Sequence, residues 1–240
     1  MARNVGAPVA RLADAANHLA EGELDVSIPV GGSGRELQTL ERSLNTVAAS
    51  IASAHQTMRA RIDEATAHLS YQALHDPLTG LLNRRAFEAA LDDAVSASRR
   101  AADHGTLCFI DLDHFKVIND VCGHAAGDAL LQSIAGLIDP RVRAEDMIYR
   151  VGGDEFAIIL RGCSSTDARG IAEGLCEAIA AYRFHWDGQE FRIGASIGLA
   201  RIDDPDNSTA ALLKAADAAC YAAKRNGRNC VSEYYHTQAS

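Results

Sequence analysis

Residues 150–156 read Arg-Val-Gly-Gly-Asp-Glu-Phe, two glycines and two adjacent acids set between apolar runs, Met147-Ile148-Tyr149 before and 156–160 after. Side by side, Asp154 and Glu155 repel each other, and neither has a lysine neighbour in the chain to soften that cost. A second acidic group, Asp111-Leu112-Asp113, closes the apolar run 105–113. Taken alone, it reads as a solvated strand end. Brought beside Asp154 and Glu155, however, Asp111 would complete a three-acid cluster that needs a positive partner. Hard oxygen donors, few in number, suit Mg²⁺, with Mn²⁺ as the alternative, and leave room for water and phosphate oxygens.

Other residues could handle the rest of a nucleotide. Gly127 falls in an early helical turn, where glycine costs roughly 1 kcal/mol relative to alanine. Tight helix packing would explain it, and so would a ligand passing close over the helix beside Asp128. A carboxylate can accept both N1–H and the 2-amino group of guanine, whereas adenine offers an acceptor at N1. Asn119 carries a donor and an acceptor on one amide and could read another base edge. Lys224 and Arg228 close a late helix, where they either complement its dipole or clamp a triphosphate, arginine as a fork and lysine as a point charge.

The elements that must position these residues are legible in outline. From His75 onward, strands and helices alternate. The run 105–113 predicts a buried strand, 125–138 a helix, and 147–160 a hairpin around the paired glycines. A helix follows over 166–182, then a second hairpin turning at Asp187-Gly188, a helix over 209–226 ended by Gly227, and a last strand near 229–235. This order predicts an α/β sandwich around a mostly antiparallel sheet. Residues 1–72 differ in texture, being rich in alanine and nearly free of aromatics. Val5, Val9, Leu12, Ala16 and Leu19 mark a first helix, and Leu24, Val26 and Ile28 alternate in an extended connector. A second helix from Arg35 carries the stripe Leu37, Leu40, Leu44, Val47, Ile51, Ala54, Met58 in steps of three and four. That is the period of a left-handed coiled coil, with a four-residue stutter between Met58 and Ile62. No second core near this stripe offers to bury it, which predicts dimerisation.

Composition bounds the function. A formal net charge of −9 over 240 residues disfavours binding to nucleic-acid backbones, though a small anionic ligand needs only one or two local cations. The six cysteines lie singly without a CxxC pair, as expected for small buried side chains in a reducing compartment. No apolar run approaches the roughly 18 residues that span a bilayer, so the chain as given is expected to be cytoplasmic.

Residues 5–53, with Pro8, the connector "AEGELDVSIPV" and "GRELQTLERSLNTVAASI", resemble a HAMP domain. That resemblance implies a parallel four-helix bundle formed by two chains, and a membrane-spanning portion ahead of this sequence tethering it to the cytoplasmic face of the inner membrane. Residues 75–234 resemble the GGDEF domain of diguanylate cyclases, through "DPLTGLLNRR" (76–85), "DLDHFKVINDVCGHAAGD" (111–128), "RVGGDEF" (150–156) and "YAAKRNGRN" (221–229). It implies a ferredoxin-like βαββαβ core of the cyclase and polymerase palm type, with domains at 1–53, 54–74 (a connecting coiled-coil helix) and 75–240. It also implies that two GTP condense into cyclic di-GMP and two pyrophosphates in a homodimer. By the same resemblance Asp111, the Leu112 carbonyl and Asp154 would bind Mg²⁺, Glu155 would assist, and Asp154 would take the proton. Asn119 and Asp128 would hold guanine. Amides near His114 and Phe115, with Lys224 and Arg228, would hold the phosphates. Arg143 and Asp146, an RxxD pair upstream of the glycines, read as loop charges on their own. In this family they look like an inhibitory site for product. The alternative to an active cyclase is a catalytically silent module that binds GTP or cyclic di-GMP and regulates a partner.

Overall fold

The computed structural model describes residues 6–22, 27–29, 34–101, 104–143, 146–202 and 208–234. The chain divides into two compact units, Met1–Ser70 and Tyr71–Ser240.

The first unit holds helix α1 (Gly6–Ala20) and most of helix α2 (Arg35–Leu74), which runs unbroken for 40 residues through the stutter after Met58. The expected positions Val5, Leu24 and Val26 lie outside the described residues. Ile28 of the connector is buried, and Asn45 on α2 grips its backbone from both sides. The Ile28 N–H donates to Asn45 Oδ1 at 2.9 Å, and Asn45 Nδ2 donates to the Ile28 carbonyl at 2.8 Å. One amide thus replaces a strand partner for an extended segment. Along α2, by contrast, Leu40, Val47, Ile51, Met58, Ile62 and Leu69 are all exposed, spaced seven and four apart.

In the second unit a six-stranded sheet is covered on both faces by helices. Its strands are β1 (Leu82–Asn83), β2 (Gly105–Asp113), β3 (Met147–Gly152), β4 (Glu155–Arg161), β7 (Gly194–Arg201) and β8 (Val231–Glu233), in the order β1-β3-β4-β2-β7-β8. The inner four are antiparallel to one another, and β1 and β8 add in parallel at the two edges. Strands β5 (Phe184–Trp186) and β6 (Gln189–Phe191) form a separate hairpin, with the predicted turn at Asp187 (φ 46°) and Gly188 (φ 76°). The helices are α3 (Arg84–Ala101), α4 (Phe115–Cys122), α5 (His124–Ile138), α6 (Ser165–Ala181) and α7 (Thr209–Arg225). The order β2-α4/α5-β3-β4-α6-β7 is the βαββαβ arrangement expected from the sequence. β1, α3 and the separate helix α4 are not delineated by the sequence pattern. β1 has only two residues, and α4 is cut from α5 at Gly123.

Alternation along the strands builds two cores. Cys108, Ile110 and Leu112 of β2, with Phe156, Ile158 and Leu160 of β4, pack against α5 and α6. Leu107, Phe109, Ala157 and Ile159 point the other way, toward α3 and α7. Both faces are buried, which is why these strands read as continuous apolar runs. Gly198 lets α7 lie directly on β7, since a Cβ there would collide with the backbone of Ala216 and Cys220.

Candidate active site

The candidate site lies where β2 ends beside the β3–β4 hairpin. Asp111 stands directly opposite Glu155 in the β2–β4 register, and the Leu112 N–H donates to the Asp154 carbonyl at 3.3 Å. The hairpin loop is two residues long, Gly153 and Asp154, between paired Gly152 and Glu155. Gly153 takes φ 51°, the positive angle a first loop residue needs in a tight hairpin. Gly152 keeps an ordinary angle and has open space above it, so its missing side chain leaves a bare approach to the backbone. Pleating sends Leu112 into the α5–α6 core and leaves Asp111 on the opposite face, toward α7.

Asp111 and Glu155 therefore stand opposite one another, and α7 supplies a positive partner that chain proximity alone hides. Lys224 Nζ lies 2.6 Å from Asp111 Oδ2. Burial pushes the Asp111 carboxyl up; the Lys224 ammonium pulls it back, and the carboxylates of Asp154 and Asp113 add to the rise. Glu155 is pushed up by burial first and then by Asp111, Asp154 and Asp217. For Lys224, burial favours the neutral form, but the hydrogen bond and charge of Asp111 outweigh it and raise the pKa. Among the described residues no three His, Cys, Asp or Glu side chains converge as a ready-made metal cage. This modifies the expected three-acid cluster: the geometry offers one or two carboxylates rather than three. That donor set fits Mg²⁺, which is commonly held by one or two carboxylates plus phosphate oxygens and water.

Around it stand the other predicted residues. His114 occupies the left-handed region (φ 62°, ψ 17°) and turns the chain from β2 into α4, which starts without a side-chain cap. The first amides of α4, at Phe115 and Lys116, thus open a helix N-terminus suited to an anion, while the Phe115 ring is buried. Gly123 (φ 82°) breaks α4 from α5 so that Asn119 faces Gly127. A Cβ on Gly127 would collide with Asn119 Oδ1, so here packing between two helices explains the glycine, and it is Asn119 that fills the space. Asp128, the next residue, is exposed. Arg228 is exposed in a left-handed turn just after α7.

Two further residues brace the hairpin. Arg150 donates to both Asp76 oxygens at 2.9 and 3.1 Å, and to the Gly153 carbonyl through Nε and Nη2 at 3.1 and 2.9 Å. Asp76 also accepts the Thr79 N–H and hydroxyl. Arg150 and Asp76 lie inside quoted motifs, but only the fold brings residues 74 positions apart together. Of the RxxD pair, Arg143 is exposed, while Asp146 is buried and its Oδ1 accepts the Arg161 N–H at 3.0 Å. Both border an open cleft of about 560 Å³, shared with His75, Leu82 and Met147.

Sheet topology and acid-bearing hairpin together define a mixed α/β domain built on a central mixed sheet. The chain belongs to the GGDEF family: residues 73–230 match the family described as "Diguanylate cyclase, GGDEF domain", and residues 1–53 match the HAMP domain. It is 44% identical over 172 residues to "Probable diguanylate cyclase DgcE" of Escherichia coli K12, covering 72% of this chain and 16% of that protein. With diguanylate cyclase TpbB of Pseudomonas aeruginosa PAO1 it shares 36% identity over 230 residues, 95% of this chain and 52% of the relative. The chain thus spans about half of one relative and a sixth of the other. Among solved structures, the coiled coil and GGDEF domain of DgcB from Caulobacter crescentus, in complex with c-di-GMP, superposes with a TM-score of 0.73. The two are 29% identical, and the match covers 78% of this chain and 99% of that one. No described helix is long and apolar enough to cross a membrane.

Proposed function

We propose that this chain is a diguanylate cyclase, condensing two GTP into cyclic di-GMP with release of two pyrophosphates. The observation that carries this reading is the register of Asp111 against Glu155, with Asp154 in the hairpin loop between the two strands. Like charges placed opposite one another in a sheet are destabilising, so the arrangement has to serve something. Asp111, the Leu112 carbonyl and Asp154 would hold Mg²⁺ or Mn²⁺, with Glu155 assisting. Bound there, the ion lowers the pKa of the attacking 3′-hydroxyl and neutralises charge on the leaving pyrophosphate.

The chain's own residues do the rest. Asp154 accepts the proton of the 3′-hydroxyl. Asn119 and Asp128 pair with the guanine edge. The amides at His114 and Phe115 receive the phosphates from one side, Arg228 from the other. Lys224 keeps Asp111 paired and reaches the same phosphates. One domain holds one GTP, so two must face each other, and α2 supplies the dimer. Its exposed stripe recurs at the seven-residue spacing of a coiled coil over a 40-residue helix. Residues 54–74 then act as the connecting coil below a HAMP bundle. Arg143 and Asp146 form the product-inhibition site, in keeping with the cleft they border.

Incubating the protein with GTP and Mg²⁺ and assaying for the cyclic dinucleotide tests the reading. Asp154→Ala is expected to lower turnover by at least about 10³-fold with guanine-nucleotide binding largely retained. Binding of GTP without turnover in the unaltered dimer would overturn catalysis and favour a silent regulatory module.

A further inference from the structure

Asp113 has no part in the chemistry just described, yet it is the most deeply buried acid beside the site, at 4% exposure. A carboxylate so placed must have its lone pairs satisfied. Oδ1 accepts the Ser196 hydroxyl at 2.7 Å, and Oδ2 accepts the Asn229 N–H at 2.8 Å. The second partner lies 116 positions away, in the loop between α7 and β8.

That loop is conformationally demanding. Gly227, Arg228 and Asn229 take φ of 110°, 62° and 45° in succession. Glycine adopts such angles freely, but two consecutive L-residues do so only where their surroundings hold them. The loop is fastened on both flanks. The Arg228 N–H closes the end of α7 on the Ala223 carbonyl at 3.1 Å, in the pattern of a Schellman cap, and the Cys230 carbonyl accepts the Ile197 N–H at 3.0 Å. Between these flanks, the bond to Asp113 fixes Asn229 itself. Room for it is made at Gly194, the register partner of Asp113: a Cβ there would come to 3.0 Å from both Asn229 and Asp113 Oδ2. Asp113 also immediately precedes His114, whose left-handed turn opens α4. A single carboxylate therefore joins the two backbone segments that flank the phosphates in the proposed site.

We infer that Asp113 is a positioning residue for triphosphate binding: it clamps the α7–β8 loop to the end of β2 and so fixes where Arg228 stands. This rests on the cyclase reading above. Asp113 is enclosed by Ser196, Gly194 and the loop, so it acts through Arg228 rather than on the nucleotide.

The test is a double-mutant cycle on the full chain, read by calorimetric titration with a non-cyclising GTP analogue and Mg²⁺, with melting temperature recorded in parallel. Asp113→Asn keeps the shape but loses the charge-assisted acceptor, and is expected to weaken analogue binding on the order of tenfold. Arg228→Ala should weaken it comparably, and the double variant should be no worse than Arg228→Ala within about twofold, because both act through one contact. Adding Asn229→Gly to Asp113→Asn should restore binding, since glycine holds the left-handed angle unaided. Should Asp113→Asn fold poorly, the Asp113→Asn, Asn229→Gly variant is expected to bind the analogue as tightly as Asn229→Gly alone, and a weaker affinity there would count against the inference. Multiplying losses in the cycle, or a melting shift without any loss of affinity, would overturn the inference while leaving the cyclase reading intact. A wild-type chain that does not bind the analogue overturns both.

Discussion

Asp76 and Arg150 illustrate how much a single pair can hold. Their side chains are 18% and 13% exposed, and Arg150 spends its other nitrogens on the Gly153 carbonyl in the acid-bearing hairpin. Burial raises the Asp76 pKa, but the Arg150 and Thr79 hydrogen bonds outweigh it and leave it below the ordinary value of 3.8. A lowered folded-state pKa means that the bond stabilises the protein above the unfolded value and is lost as pH falls through the folded one. Asp76→Asn is therefore expected to cost about 2 kcal/mol at pH 7. The difference from wild type should vanish at a pH well below 3.8, which denaturant unfolding across that range measures. Asp76 sits in a motif visible in the sequence, but its partner is found only by folding.

Elements matter through how closely they approach. The corner at Gly123 sets α4 against α5, and Gly127 accepts the Asn119 amide where any side chain would collide with it. Of the two explanations for Gly127, close helix packing and close ligand passage, the contact with Asn119 supports the first. The consequence still reaches the ligand. Gly127→Ala adds helix propensity worth up to roughly 1 kcal/mol, and the clash falls on the far end of a flexible amide. Stability is expected to hold within about 1 kcal/mol by thermal melting, whereas the Kd for a guanine nucleotide should rise several-fold as Asn119 is displaced. Equal affinity in the two proteins would remove Asn119 from guanine recognition.

For the whole molecule the decisive feature is α2, whose large apolar side chains Met58, Ile62 and Leu69 are 59%, 55% and 64% exposed. A helix of this length carrying such a stripe is poorly satisfied alone in water. Turnover per chain is accordingly expected to fall on dilution as dimers dissociate. Met58→Glu with Ile62→Glu should shift the protein to monomer by sedimentation and lower specific activity at least tenfold, with the GGDEF domain still folded. Undiminished activity in a monomeric variant would mean that the two half-sites meet by another surface.

Much of this protein is written in local pattern. Strand and helix periodicity, the turns at Gly153 and Asp187-Gly188, and the acids that need a positive partner are all short-range features, fixed by which side chains fall on which face and which residues tolerate a positive φ. What the chain order could not supply is which distant groups share a face. Lys224 reaches Asp111 from α7, Arg150 reaches Asp76 across 74 positions, and Asp113 reaches Asn229 across 116. Those pairings depend on strand order and on glycines that let backbones touch. The first and the last exist only once β2 lies between β4 and β7 with α7 packed on top, and the second only once β1 adds beside β3.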